Sequence, residues 1–207
     1  MSDMQFYGDG LAGVDDRRYA GKLIVVEGAD GVGRTTQVNM LKSWLESSGY
    51  AVAATGNLRS PLVGPGIQGA KEGHSLGRMT MTLFYATDFA DRLENQIIPA
   101  LRAGFVVLAD RYMFSAIARA EARGLDVQWI RDLYGMALVP DSIFYLRPSS
   151  VDILVQRNLL RDGLDYWESG MDMHFGDTLY DSFVVYQTRM MASFERMAEI
   201  YGFEVLN

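Results

Sequence analysis

The stretch Leu23-Ile-Val-Val-Glu-Gly-Ala-Asp-Gly-Val-Gly-Arg-Thr-Thr-Gln37 constrains this chain more than any other. An apolar run rich in β-branched residues breaks into glycines at Gly28, Gly31 and Gly33, and a helical pattern follows from Thr35. That is the strand–loop–helix setting of a phosphate-binding P-loop, spaced Gly28-x4-Gly33-Arg34-Thr35, with arginine where lysine is usual. Glycines let backbone N–H groups converge on phosphate oxygens, and the helix N-terminus adds a fixed partial positive charge. The loop residues Gly28, Asp30, Gly31, Val32, Gly33, Arg34, Thr35 and Thr36 are therefore the candidates for a nucleotide phosphate site. Thr35 offers its hydroxyl to Mg²⁺. Arg34 keeps the charge of lysine but is planar, bulkier and fork-shaped, so the exchange is not conservative. Either the loop binds phosphate with altered catalysis, or a neighbouring arginine takes over.

A chain of 207 residues suits one domain with a substantial core. Its 49% hydrophobic and 22% charged residues read as globular. The net charge of −7 argues against broad binding to nucleic acid or anionic membranes, so phosphate affinity must come from a local cluster of arginines and backbone donors. With no cysteine, disulfides, thiolate metal sites and thiol catalysis are excluded. His74 and His174 stand far apart and form no metal-ligand motif. Residues 1–20 read as a polar tail or arm without the apolar segment of a signal peptide. No run approaches the roughly 18 apolar residues of a membrane span, and the expectation is a cytoplasmic protein.

Along the chain, Leu23–Glu27 reads as a buried strand and Thr35 to Ser47 as a helix with Val38, Leu41, Trp44 and Leu45 on one face. Tyr50–Ala54 reads as a short strand, followed by a Gly- and Pro-rich loop through Gly66. Met79–Arg102 is expected to be one long helix, and Phe105–Ala109, ending at Asp110, a central parallel strand. A helix around Val127–Leu138, a strand at Asp141–Leu146 and a helix at Ser150–Arg161 follow. A loop then runs to about Leu179, ahead of a helix at Asp181–Tyr201 and a last strand at Phe203–Leu206. Alternating strands and helices imply a three-layer, doubly wound parallel α/β sheet with ligands at the strand C-termini.

With these elements placed, the chain resembles the thymidylate kinase family of P-loop nucleoside-monophosphate kinases. Beside the loop, the matching landmarks are Leu83-Phe-Tyr-Ala-Thr-Asp88, Ile98-Pro-Ala-Leu101 and Val106-Val-Leu-Ala-Asp-Arg-Tyr112 with Ser115. Pro140-Asp141 and the lid-like Arg161-Asp-Gly-Leu-Asp-Tyr-Trp-Glu168 follow. The resemblance spans residues 21–207, with a lid at about 157–179. It implies transfer of the ATP γ-phosphoryl to a deoxynucleoside monophosphate, dTMP first, with Mg²⁺ bridging the donor phosphates. Such transfer needs in-line positioning and positive charge more than covalent chemistry.

The resemblance also assigns roles. Asp110 holds Mg²⁺ or its waters and Arg111 reaches the transferring phosphates, the plain alternative being a strand-end ion pair. Arg59 falls where the family places an arginine on the acceptor phosphate, and Asp30 where an acid meets the acceptor sugar, against a turn-forming aspartate. Arg157 and Arg161 lie four apart at a helix end and correspond to lid arginines over the donor, the alternative for Arg157 being a solvated helix face. Tyr85 stands in the base-stacking position, next to Ser115 and Arg119 in the acceptor set. The resemblance implies a homodimer formed through long helices such as Met79–Arg102, the alternative being a helix buried within a monomer.

Several positions depart from the pattern. Phe89 replaces the arginine that bonds the thymine edge, Ala120 a polar residue reading the same base, Arg119 a neighbouring aromatic, and Tyr166 a lid arginine. Ser169–Leu179 looks like a lid insertion. These departures leave open a catalytically weak nucleotide-binding or regulatory relative, and a kinase with another base preference.

Overall fold

In the computed structural model, residues 5–14, 19–56, 60–74, 76–161 and 163–207 are described. The core is a five-stranded, wholly parallel sheet in the order β2-β3-β1-β4-β5. Its strands are β1 (Lys22–Glu27), β2 (Val52–Gly56), β3 (Val106–Asp110), β4 (Ser142–Leu146) and β5 (Glu204–Leu206). Alternation along the strands builds two apolar faces. Leu23, Val25, Val107 and Ala109 pack into the larger cluster, while Val26, Val106 and Leu108 meet Val38 and Leu45 of α1 (Arg34–Ser47). The larger face is covered by α3 (Arg78–Arg92), α5 (Met113–Ala122) and α8 (Leu179–Tyr201), which completes the three layers expected of a doubly wound fold.

Register positions the functional edge. Val26 pairs with Asp110 across β1 and β3, and with Phe144 across β1 and β4. The C-terminal ends of β1 and β3 are therefore level, and the backbone N–H of Arg111 donates to the Val26 carbonyl at 3.1 Å. The strand order reverses around β1, which is where a doubly wound sheet leaves its ligand crevice.

β2 runs two residues later than the expected Tyr50–Ala54, α5 fills a stretch with no expected element, and four further corrections follow. Trp44 is 63% exposed and not on the buried face of α1, because it lies about a third of a turn from the line through Val38 and Leu45. The Gly- and Pro-rich segment forms a helix, α2 (Gly64–Glu72), because Pro65 in its first turn is already set to a helical φ and lacks only an N–H that would go unpaired there. The long helix contains a wide turn at Leu93–Ile97 before its last piece, α4 (Ile98–Arg102), because Pro99 lacks the N–H and the space for a regular turn. Finally, α6 (Val127–Leu133) stops short of Leu138. Residues 137–139 instead pair antiparallel with 5–7, through Tyr7 N–H to Ala137 at 2.9 Å and Val139 N–H to Gln5 at 2.8 Å, which buries Phe6. No helix among the described residues is long and apolar enough to cross a membrane.

Ser60, ahead of α2, is tied to α3 at a carboxylate that also forms a buried ion pair within that helix. Arg92 Nε donates to Asp88 at 2.9 Å, and the other oxygen of Asp88 accepts from the Ser60 N–H at 3.1 Å. The Ser60 hydroxyl donates to Asp91 at 2.5 Å. Removing Asp88 takes a carboxylate partner from the buried Arg92 and an acceptor from the Ser60 N–H, so Asp88→Ala is expected to lower unfolding stability by about 3–5 kcal/mol. Urea denaturation checks this; a loss below about 1 kcal/mol contradicts it.

Candidate functional site

The loop between β1 and α1 turns through two left-handed glycines, Gly31 (φ 82°) and Gly33 (φ 102°). Gly31 also tolerates no side chain, since a Cβ would stand 2.6 Å from the amide nitrogen of Asn158. That amide donates to the Asp30 carbonyl at 3.2 Å, and Arg157 donates to the Val32 carbonyl at 2.9 Å, so α7 (Val151–Arg161) braces the loop from above. Gly33 leads into α1 with no side-chain cap, which leaves the first N–H groups of the helix without an intrahelical partner. They border a cleft of about 450 Å³ lined by Asp30, Gly31, Thr35, Thr36, Arg157 and Arg161. The cleft suits an anion held by backbone donors and the arginines of α7.

Arg34 is turned inward. Its guanidinium donates to the carbonyl of Gly28 at 2.5 Å, to that of Ala29, and through Nε to Asp110 at 3.1 Å. It pins the loop to the end of β3. Thr35 Oγ1 donates to the other oxygen of Asp110 at 2.6 Å. The Thr35 hydroxyl, which lines the cleft, and the carboxylate it bonds are the hard donors that Mg²⁺ takes, and Mg²⁺ needs only one or two protein ligands beside water and phosphate. Thr35 and Asp110 therefore fit the ion, which would compete with Arg34 for the carboxylate. No group of three or more His, Cys, Asp or Glu among the described residues forms a separate metal cluster.

Asp30 gathers three guanidinium groups. It accepts from Arg111, lies 3.5 Å from Arg119 and 3.7 Å from Arg34. Burial pushes its carboxyl up, but the charges of Arg111, Arg119 and Arg34 prevail and hold it well below the usual carboxylate range. Burial, with Arg34 nearby, brings Arg111 down to about 10, which leaves it charged at neutral pH. Arg111 holds a left-handed φ of 75°, a costly conformation for a side chain with a Cβ and one that clusters at functional sites. It is fixed by a second carboxylate. Arg111 donates to Ser115 Oγ at 3.0 Å, which donates to Glu27 at 2.5 Å; Glu27 also accepts the N–H groups of Tyr112 at 2.8 Å and Ser115 at 3.2 Å. Glu168 faces the same arginines, its carboxyl raised first by burial and then by Asp30.

Beyond Asp30 lies a smaller cavity lined by Met81, Thr82, Tyr85, Arg119, Ala120 and Tyr134. The Arg119 guanidinium sits over the Tyr85 ring, 5.4 Å from its centre. Phe89, one turn after Tyr85, is only 2% exposed and packs edge-on against Tyr112 at 4.9 Å and Tyr134 at 5.4 Å, behind the cavity and not on its wall. The structure thus gathers Arg34, Thr35, Asp110, Arg111, Ser115 and Asp30 at the strand edge, with Arg157 and Arg161 above one cleft and Tyr85 and Arg119 in the other. Arg59 lies outside the described residues.

Sequence reasoning missed Asn158 and Arg123 altogether. Arg123 bonds both oxygens of Asp172, at 2.8 and 3.1 Å, and the Trp167 carbonyl at 2.9 Å, which fastens the segment after α7 against α5. Trp167 in turn donates to the Lys71 carbonyl at 2.9 Å, and Tyr166 stacks on His74 at 3.9 Å. Glu27 carried a readable signal, an acid closing an apolar strand.

The arginine cluster sets a pH dependence. The depressed Asp30 carboxyl contributes stability that is fully present above its ordinary titration range and is lost as pH falls below about 4. Asp30→Asn is expected to be less stable than the parent at pH 7, with the gap narrowing by about 1 kcal/mol or more by pH 2.5. Urea unfolding across that range checks it; a constant gap contradicts it.

Comparison with known proteins agrees with this geometry. Residues 26–195 match the family model described as thymidylate kinase. A probable thymidylate kinase 2 of Saccharolobus solfataricus is 34% identical over 179 residues, 86% of this chain and 84% of that protein. A probable thymidylate kinase of Thermococcus gammatolerans is 32% identical over 190 residues, 87% and 85% of the two chains. The thymidylate kinase of Exiguobacterium sibiricum is 34% identical over 177 residues, 79% and 80%. The P-loop with its Asp110–Arg111 partner and this breadth of similarity together make the chain a member of the thymidylate kinase family.

Proposed function

We propose that this protein transfers the γ-phosphoryl of ATP to dTMP or a related deoxynucleoside monophosphate. One observation carries the reading: Asp30 lines the phosphate cleft and lies 3.5 Å from Arg119, which lines the Tyr85 cavity, while Arg111 donates to the same carboxylate. Donor phosphates lie on the backbone of Gly31, Gly33 and Arg34, under Arg157 and Arg161 of a lid formed by residues 157–179. Thr35 and Asp110 would hold Mg²⁺, which when bound would neutralise the donor phosphates. Arg111, between the two sites, neutralises charge as it spreads over the transferring oxygens. The acceptor sugar meets Asp30, its base stacks on Tyr85, and Arg59 and Arg111 hold its phosphate.

Arg34 contributes differently from a lysine. With its donors committed to Gly28, Ala29 and Asp110, it preserves loop shape, and the backbone supplies most of the phosphate contacts. ATP with Mg²⁺ is expected to bind in the micromolar to millimolar range, and calorimetry showing no binding at several millimolar would overturn the site.

A homodimer through the outer face of α3, where Met79 and Leu83 stay exposed, is part of the same reading, as is a cytoplasmic location. Light scattering at micromolar concentration should give twice the 23.1 kDa of one chain; the single-chain mass rejects the dimer.

Base choice is expected to be relaxed. Phe89 is buried and Ala120 has no polar group, and an apolar wall discriminates a methyl-sized difference only about 10–200-fold. A coupled assay with ATP, Mg²⁺ and each common nucleoside monophosphate is expected to give kcat/KM values for dTMP and dUMP within about 100-fold of each other. No turnover with any of them rejects the kinase reading, and a preference above a thousandfold rejects the relaxed pocket.

A further inference from the structure

The Tyr85 cavity contains a polar group that nothing above uses. Tyr134 is fully buried, lines this cavity with Tyr85 and Arg119, and its hydroxyl has no hydrogen-bond partner among the described residues. Its ring is already placed by packing, edge-on to Phe89 at 5.4 Å. A phenylalanine would fill the same space without burying an unpaired hydroxyl, a group whose desolvation goes uncompensated. The cavity itself is about 10 Å³, close to what one water needs, because the Arg119 guanidinium covers the Tyr85 ring. A base stacking on Tyr85 takes the place of that guanidinium, which already lies 3.5 Å from Asp30 and can move fully onto it. The edge of the base then faces the wall that Tyr134 forms.

We infer that Tyr134 is the residue that reads the acceptor base, its hydroxyl forming the hydrogen bond to the base edge that neither Phe89 nor Ala120 can make. The inference rests on the acceptor assignment proposed above. A phenolic hydroxyl both donates and accepts, so it meets a keto or an amino edge and is indifferent to a ring methyl. It contributes affinity for bases as a class and does not separate dTMP from dUMP.

The test is Tyr134→Phe, titrated with dTMP, dUMP, 2-deoxyribose 5-phosphate and MgATP. One neutral hydrogen bond corresponds to a roughly 2- to 12-fold loss. We expect dTMP and dUMP to weaken by that same factor, with 2-deoxyribose 5-phosphate and MgATP unchanged within about twofold. Thermal unfolding of the ligand-free variant should come no lower than the parent, since the lost hydroxyl has no protein partner. Unchanged dTMP affinity overturns the inference, and so does equal weakening of the baseless sugar phosphate, which would mark a structural role. Tyr85→Ala separates the two levels. If it leaves dTMP binding intact, the base does not enter this cavity, and the acceptor assignment falls together with the inference; if dTMP weakens there but not in Tyr134→Phe, the inference alone fails.

Discussion

A single carboxylate organises the functional edge of this molecule. Asp30 sits inside the glycine loop and faces guanidinium groups from three elements: the start of α1, the end of β3 and the body of α5. Three like charges converge there without mutual expulsion because Asp30, Asp110 and Glu27 lie among them. In a partly desolvated site such contacts are stronger than at a surface. Their geometry sets the left-handed turn at Arg111, the direction of Arg119 and the height of the loop above the sheet. A chain of net charge −7 thereby keeps a strongly positive interior where phosphates belong.

Arg34 shows how the cluster accommodates an altered loop. Lysine would carry a compact charge that follows a phosphoryl group; arginine has five donors in a rigid fork. Here the fork points down, onto loop carbonyls and Asp110, so this position contributes loop geometry and charge balance. The α7 arginines remain toward the phosphate cleft and Arg119 toward the Tyr85 cavity, while Arg111 is held on Asp30. The residue that looked like a defect in the motif is thus built into the floor of the site.

Much of this was legible in the chain. β1, β3 and β4 declared themselves as unbroken apolar runs, and their parallel register follows from the helices between them. The P-loop and the Asp110–Arg111 pair were visible because each lies at a strand end. What stayed hidden has physical reasons. Helix α2 was masked by glycine and proline, whose favourable place in a first turn depends on context. Helix α5 begins with Met113 to Ala118 all buried, so its first turns present no exposed polar face. The contacts of Arg123 with Asp172 and of Asn158 with Asp30 join residues 49 and 128 positions apart, and no local pattern encodes them. Tyr134, just past the end of α6, carries no local sequence signal, and only the cavity gives its hydroxyl a meaning.

The central claim is that Asp30 and Arg111 act as one unit. A double-mutant cycle on unfolding free energy, with Asp30→Asn, Arg111→Gln and both together, measures that coupling directly. The account predicts an interaction of about 1–3 kcal/mol, as for partners in one buried network. Additivity within about 0.5 kcal/mol would mean that the two residues are merely neighbours, and the organisation described here would be wrong.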